Sequence, residues 1–494
     1  MASLTQKAGL LIVLNLFKYA VGFLLPVVLV RLLTKEDYGT YQQLLLVGSL
    51  AVGIMTMGFP ASIYYFYKQY AGEPRQRAFV LQVVLLFLVS GIVTSAVIYF
   101  ARDFIAVHMN NPALASYLQY YCVYILFFIA TEYFIHLLIS KDLYSLGVKI
   151  ESAEVIFRVT LLILPLVFGF GLTGLAISLA IYAVCRFCFY SVILRRDIFP
   201  IMPGVTKLFT ISEQLAYSLP LALSFLLGLI GRTIDKFLIS VNFTPAQMAV
   251  YSVGAVELPL DSIFQASVAN VLRASFPELV KKGDLTEMIR IWRAAVRKLA
   301  LIILPVFVFL LGYSTVFITF LFTDAYIDSV DIFRIYLFLV PLHILLLSIL
   351  PQAFGKTKLT MKIVMICATF NIFCSFVLVK TIGYYGPAIA TVATSYLTAG
   401  LYLYFGLKLL KCNVRTLVPL RSILRVVTSA SLGVIVGLLF ISGIESKFLK
   451  LLLGGIIFLS VYCSALLVTS EISRSEVKSF WHQVKKKLPE VVKA

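Results

Sequence analysis

The sequence has 494 residues, of which 61% are hydrophobic and only 13% are charged. A water-soluble fold cannot bury that much apolar surface, so the composition excludes a soluble globular protein. The formal net charge of +19 does not indicate a nucleic-acid partner, because the Lys and Arg residues are dispersed between apolar segments and form no basic domain. The composition therefore predicts a membrane protein.

Apolar stretches long enough to cross a bilayer recur along nearly the whole chain. A helix of about 20 apolar residues spans a hydrocarbon core of about 30 Å. We therefore predict an all-α integral membrane protein with about fourteen transmembrane helices. In chain order the predicted spans lie near residues 8–33, 42–67, 78–101, 117–139, 152–169, 172–194, 213–242, 249–275, 294–322, 332–353, 360–380, 384–407, 421–442 and 449–469.

An internal repeat divides the first twelve spans into two halves. Thr34 and Tyr41 align with Thr244 and Tyr251, and GLTGLAI at residues 171–177 aligns with GYYGPAI at residues 383–389 in almost the same register. Six spans per half is an even number, so we expect two six-helix lobes related by a pseudo-two-fold axis along the membrane normal.

The repeat and the spans together predict four segments. They are an N-lobe at residues 1–205 (helices 1–6), a C-lobe at 206–410 (helices 7–12), helices 13 and 14 at 411–470, and a basic amphipathic tail at 471–494. Most of the Lys and Arg residues outside the spans fall on one side of the membrane if both termini are cytoplasmic, which the positive-inside rule favours. We expect the tail to lie on the anionic inner surface.

Charged side chains inside the spans indicate where function lies, since each needs a partner or a water-filled cavity. In the first span, Asn15 and Lys18 share one helix face, and no acidic residue of that span can pair with Lys18. In the seventh span, Arg232 and Lys236 are four residues apart and Asp235 lies beside them. We interpret Lys18, Arg232 and Lys236 as cations that line an aqueous cavity.

Ion pairing without a transport role is the alternative for some of these residues. Lys236 is at a similar depth to Glu257 of the eighth span, and Arg232 is within reach of Asp235 or of Asp261. Both interpretations stay open at this point.

Other intramembrane charges are less specific. Arg158 is a further candidate for the cavity, but Arg158, Arg186, Arg273 and Arg334 are near predicted span ends, where snorkelling to the headgroups is favoured. Glu132 and Glu154 would either titrate or pair with Arg158. The scattered His and Cys residues form no metal-binding or catalytic motif, so we expect no catalytic residues, metal or cofactor.

Three strings carry a resemblance to a known family. They are RLLTKEDYGTYQ at residues 31–42, YSLPLALSFLLGLIGRTIDKFLIS at 217–240, and VYSVGAVELPL at 250–260, together with the GLTGLAI opening of span six. The chain resembles the polysaccharide-transporter branch of the multidrug/oligosaccharidyl-lipid/polysaccharide exporter superfamily, and the resemblance covers nearly the whole chain.

The resemblance implies alternating access between two lobes, with cationic cavity residues on helices one and seven. It implies coupling to an H⁺ or Na⁺ gradient or to the membrane potential, in which Asp235, Glu257, Asp261 or Glu154 would take part. The expected substrate is an anionic oligosaccharide linked to undecaprenyl pyrophosphate. The expected setting is a monomer among the lipids of a bacterial or archaeal inner membrane, with a polysaccharide polymerase and glycosyltransferases as partners.

The predicted function is a flippase that moves this lipid-linked oligosaccharide from the cytoplasmic to the outer leaflet for surface polysaccharide or O-antigen synthesis. A multidrug/cation antiporter of the same superfamily would need acidic residues dominating the cavity, whereas spans one, eleven and twelve have none. An integral-membrane glycosyltransferase or ligase would need a catalytic acidic or His constellation, which the sequence does not provide. We therefore expect a transporter and not an enzyme.

Overall fold

Helices make up the architecture throughout the described part of the chain. The computed structural model describes residues 4–56, 58–198, 211–256 and 258–471, and these ranges contain no β-strand. The tail beyond residue 471, for which an amphipathic helix is predicted, lies outside the described residues. The prediction of an all-α membrane protein is confirmed.

The helices follow one another with short connections. The first ten are α1 (Leu4–Leu32), α2 (Lys35–Thr56), α3 (Phe59–Gln69), α4 (Pro74–His108), α5 (Leu114–Thr131), α6 (Phe134–Ser140), α7 (Tyr144–Val167), α8 (Gly171–Ile193), α9 (Ile211–Asn242) and α10 (Pro245–Gly254). The next ten are α11 (Pro259–Lys282), α12 (Leu285–Gly312), α13 (Ser314–Phe322), α14 (Ser329–Leu337), α15 (Ile349–Ala353), α16 (Thr357–Thr381), α17 (Gly386–Leu410), α18 (Val414–Leu417), α19 (Leu420–Ile441) and α20 (Lys447–Val468).

Each of the fourteen predicted spans is occupied by one helix or by consecutive shorter helices. Among the described residues, ten segments are long and apolar enough to cross a membrane by length and composition alone. The other four spans are formed by α2 with α3, by α7, by α9, and by α10 with α11. Two of these, α7 and α9, contain several charged residues. The molecule is a multi-pass integral membrane protein.

Breaks divide several spans into two helices. The second span is interrupted at Gly58, whose φ of 67° lies in the left-handed region that favours glycine. The eighth span is interrupted before Pro259, because proline has no backbone N–H to continue the preceding helix. The tenth span, predicted as one stretch, is broken between α14 and α15, where Leu346 has a φ of 47°.

The helices pack into two compact units, and the first comprises Met1–Glu257 with Ala368–Thr391. In this unit α5 packs on both α4 and α8, and α2 packs on α9 and α10. The contact between α2 and α10 is very close at Gly39, where an added Cβ atom would lie 1.7 Å from the backbone oxygen of Pro245. Only glycine fits at this point.

The second unit comprises Leu258–Cys367 with Val392–Ala494, and within it α19 packs on α12 and α20. Glu471, just after α20, is only 4% exposed and joins these helices. Its carboxylate accepts hydrogen bonds from Arg297 of α12 at 2.7 Å, from Arg425 of α19 at 3.4 Å, and from the Ser422 hydroxyl. Burial raises the pKa of Glu471, but these three donors outweigh it and hold the pKa below its usual value.

We expect Gly39→Ala to destabilise the first unit, because the new methyl group must push α2 away from the Pro245 carbonyl. Overpacking of this kind costs about 1–3 kcal/mol. Gly22→Ala in α1 is the matched control, since no atom lies within 4 Å of a Cβ added there. The measurement is thermal unfolding of the full-length protein in detergent. Equal melting temperatures for the two variants would contradict the close α2–α10 contact.

The Glu471 cluster should make stability depend on pH. A carboxylate with a lowered folded-state pKa stabilises the fold above its unfolded-state pKa of about 4.3, and that contribution is lost as the pH falls through the folded-state value. As the pH falls from about 6 to 3, we expect the melting temperature of Glu471→Gln to decrease less than that of the wild type. Glu445→Gln, at an exposed position, should keep the wild-type profile. Parallel profiles for wild type and Glu471→Gln would show that the cluster does not stabilise the fold.

Candidate functional site

Lys18 of α1 forms an ion pair with a carboxylate of α7, the helix on which α1 packs. Its Nζ lies 2.7 Å from Oε2 of Glu151, and the two side chains are 38% and 23% exposed. The first span contains no acidic residue, and nothing in the sequence pattern indicates Glu151, which is 133 residues away in the chain. The pair is partly open and not sealed in a dry interior.

Arg186 of α8 is 9% exposed and lies between two carboxylates. Its Nη2 is 3.4 Å from Oε2 of Glu132, and its Nε is 3.0 Å from Oε1 of Glu154. The interpretation of Arg186 as a snorkelling residue is therefore wrong. Of the two roles left open for Glu132 and Glu154, ion pairing is observed, but with Arg186.

Aromatic side chains complete the surroundings of Arg186. The hydroxyls of Tyr182 and Tyr190 both donate hydrogen bonds to Glu154. The Arg186 guanidinium lies 4.4 Å from the ring centre of Phe128 and 5.2 Å from that of Tyr190. Such a dense set of contacts compensates for the cost of burying the charges, and it indicates a rigid structural cluster.

Arg158 of α7 lies among tyrosines and does not extend to a headgroup. It lies close to the buried Tyr41 of α2 and near Tyr121, Tyr124 and Tyr182. The snorkelling interpretation is wrong for Arg158 as well. As a candidate cavity residue, Arg158 would act from within this tyrosine cluster.

The charged residues of α9 have different surroundings. Arg232 is exposed and Lys236 is half-buried, whereas Asp235 is buried and accepts a hydrogen bond from the Tyr251 hydroxyl at 3.3 Å. An arginine exposed on a membrane helix needs water beside it, so the exposure of Arg232 favours an aqueous path. Asn15, the other predicted cavity residue, is exposed on α1.

Two predicted acidic residues cannot be placed. Glu257 lies outside the described residues, and so does the side chain of Asp261. The suggested pairs of Lys236 with Glu257 and of Arg232 with Asp261 therefore stay predictions.

Buried amide and hydroxyl groups attach one end of α9 to the rest of the first unit. Gln43 of α2 donates to the Ser240 hydroxyl at 3.0 Å and accepts from Asn111 at 2.7 Å. Lys236 is one turn before Ser240 and is therefore on the face of α9 that packs on α2. Nothing in the sequence pattern indicates this contact, since uncharged polar residues are not distinctive within an apolar span.

A second set of hydrogen bonds holds the opposite end of α9. Gln214 donates to the Ser62 hydroxyl of α3 at 3.0 Å and accepts from Gln82 of α4 at 3.0 Å. The rings of Tyr217 and Tyr65 stack nearby, with centres 4.9 Å apart. Both ends of α9 are thus fixed by contacts that can separate without leaving a charge unpaired.

Comparisons with known proteins agree with the resemblance seen in the sequence. A family model described as "Polysaccharide biosynthesis protein" matches residues 28–331. A search of curated protein sequences finds no match.

Among solved structures, the lipid II flippase MurJ in an inward closed conformation is similar with a TM-score of 0.69 and 15% identity, over 92% of this chain and 98% of that one. An inward-facing multidrug resistance MATE family transporter of the MOP superfamily is similar with a TM-score of 0.62 and 14% identity, over 81% of this chain and 98% of that one. A eukaryotic MATE transporter is similar with a TM-score of 0.52 and 14% identity, over 82% of this chain and 97% of that one. At these identities the likeness shows the fold.

We expect Arg186→Met to be strongly destabilising, because it leaves Glu132 and Glu154 in a buried site without their cation. Breaking a buried ion pair by removing one partner costs about 3–5 kcal/mol. The double variant Arg186→Met with Glu154→Gln should recover part of this loss, whereas Arg232→Met at an exposed position should change stability little. Thermal unfolding in detergent measures all three. A single Arg186→Met variant as stable as the wild type would refute the structural role.

Proposed function

This chain belongs to the polysaccharide biosynthesis protein family whose model it matches, and we propose that it is a flippase for a lipid-linked oligosaccharide. The substrate would be an oligosaccharide on undecaprenyl pyrophosphate, carried from the cytoplasmic to the outer leaflet for surface polysaccharide synthesis. The observation that carries the proposal is the partly open Lys18–Glu151 pair in a bilayer-spanning bundle with the fold of a lipid-linked substrate flippase.

Lys18 is suited to exchange partners with an anionic headgroup. In the absence of substrate, Glu151 neutralises the ammonium group, so the charge is tolerated inside the membrane. A pyrophosphate brings more negative charge and more acceptor oxygens than one carboxylate, so it can displace Glu151 from Lys18. Arg232 and Lys236 of α9 would add to the positive potential that attracts the same group.

Movement of α9 against α2 and α3 would provide alternating access. Its two ends are held by the Gln43–Ser240 and Gln214–Ser62 contacts, which are neutral hydrogen bonds. The net contribution of each such bond is about 0.5–1.5 kcal/mol, so separating these two bonds would not itself oppose the motion strongly. Coupling to an ion gradient or to the membrane potential would bias this motion through Asp235, Glu257, Asp261 or Glu154.

The alternative functions differ in their chemistry. A multidrug antiporter shares the fold, but a cationic drug would be repelled by Lys18, Arg232 and Lys236. The solved structures named above are a flippase and transporters, which supports transport over a glycosyltransferase or ligase reaction. We propose a monomer in a bacterial or archaeal inner membrane with both termini cytoplasmic, working beside glycosyltransferases and a polymerase.

The test is complementation of a flippase-deficient strain with Lys18→Ala. We expect export of surface glycan to fall by about tenfold or more, equivalent to about 1.4 kcal/mol of lost binding. Lys68→Ala is the matched control, because Lys68 is 59% exposed and lies 4.0 Å from Asp142 in a similar but more exposed pair. Surface glycan is measured by antibody and protein level by immunoblot. Normal export by Lys18→Ala at equal protein level would refute the headgroup role.

A further inference from the structure

The tenth span has an irregular backbone at membrane depth. Between the end of α14 and the start of α15, a 3₁₀ turn at Val340–Ile344 replaces the α-helix, and Leu346 has a φ of 47°. The amides of Leu342, Leu345 and Ile349 each bond to the carbonyl three residues earlier. Such backbone is tolerated in a membrane only where it is buried in protein or borders a water-filled cavity.

A cavity of about 470 Å³ lies beside this break, entirely within the second unit. We call it the break cavity. It is lined by the broken segment together with α11 and α17. Its polar lining includes Gln265, Arg273, His343, Ser348, Ser395 and Tyr402. No acidic residue is among the described residues that line it.

These side chains fit a sugar better than the other ligands that a membrane transporter meets. Amide and hydroxyl groups hydrogen bond with sugar hydroxyls in either direction, since each of them can donate and accept. A pyrophosphate would need several cations, and Arg273 is the only permanent cation in the described lining. Eight of the fifteen lining residues are Ala, Leu or Ile, so the polar side chains stand among apolar ones. The described lining offers a cationic drug no carboxylate.

We propose that the break cavity binds the glycan part of the transported lipid, a role that rests on the proposed flippase function. Gln265, Ser348 and Ser395 would recognise sugar hydroxyls, and Arg273 would pair with an acidic substituent of the sugar. The volume is within the range of about 300–1,000 Å³ that is typical of small-ligand sites. The cavity therefore holds a short segment of the glycan and not the whole chain.

This assignment separates two recognition tasks within one protein. The pyrophosphate, which every substrate of this kind carries, would be bound by Lys18 in the first unit. The glycan, which differs between substrates, would be read in the second unit by neutral polar groups and Arg273. Glycan selectivity should then change with substitutions in the break cavity and not with substitution of Lys18.

The experiment uses full-length protein in nanodiscs with two separate probes. One probe is undecaprenyl pyrophosphate without sugar. The other is a panel of neutral and acidic bacterial polysaccharide fragments without lipid or pyrophosphate. We expect the wild type to bind at least one fragment, and Gln265→Ala and Ser395→Leu to weaken that binding by about tenfold. Arg273→Gln should remove any preference for acidic fragments. All three should bind undecaprenyl pyrophosphate like the wild type.

Two controls keep the result interpretable. Thr428→Ala, in a separate groove between α19 and α20, should leave fragment binding unchanged, and melting temperatures should show that every variant is folded. Lys18→Ala should lose undecaprenyl pyrophosphate but keep fragment binding.

Failure of the inference and failure of the proposed function give different results. If the wild type binds no fragment, or if Gln265→Ala and Ser395→Leu bind fragments as well as the wild type, the glycan site is refuted. If instead Lys18→Ala binds undecaprenyl pyrophosphate normally while the break-cavity variants lose fragment binding, the headgroup site fails and the glycan site stands.

Discussion

The structure depends on the cost of placing charge inside a bilayer. Each intramembrane cation needs a carboxylate, an aromatic surface or water, and the helices pack so that Lys18 and Arg186 have carboxylate partners. Lys18 joins α1 to α7 through Glu151, and Arg186 joins α8 to Glu132 and Glu154. The Lys18–Glu151 and Arg186–Glu132 pairs link helices that are not consecutive in the chain, whereas Glu154 lies on α7, the helix before α8. These ion pairs therefore specify which apolar helix faces meet. Lipid-facing Leu and Ile residues cannot specify this.

Exposure separates the two pairs into different roles. Arg186 is almost inaccessible and has hydrogen-bonded and aromatic contacts on several sides, so no ligand can replace a partner without dismantling the cluster. Lys18 and Glu151 are both partly exposed, which is what the proposed exchange with an anionic headgroup requires. Nearly the same chemistry thus stabilises the fold at Arg186 and, under the proposed function, would bind substrate at Lys18.

Sequence alone predicted the fourteen spans, because hydropathy over about 20 residues is a local property. It also drew attention to Lys18, Arg186 and Arg232, since an isolated Lys or Arg in an apolar run is conspicuous. It did not identify their partners: helical periodicity shows which face Lys18 is on but not that α7 lies opposite. For the same reason the sequence misplaced Arg158 and Arg186, whose depth depends on tertiary packing. The break near Leu346 was missed because the surrounding residues are as apolar as those of a continuous helix.

A transporter must bind its substrate and also release it, and in the proposed mechanism the Lys18–Glu151 pair would help with both. Binding of a pyrophosphate would break one charge-assisted contact while forming another, so the net gain would be smaller than for an unpaired lysine and release would remain easy. Such an exchange cannot select one sugar, because every substrate of this class would carry the same headgroup. Selectivity needs neutral polar groups that would be left unsatisfied by a wrong ligand, since that penalty discriminates strongly. Under the proposed glycan-binding role, Gln265, Ser348 and Ser395 of the break cavity would supply such groups.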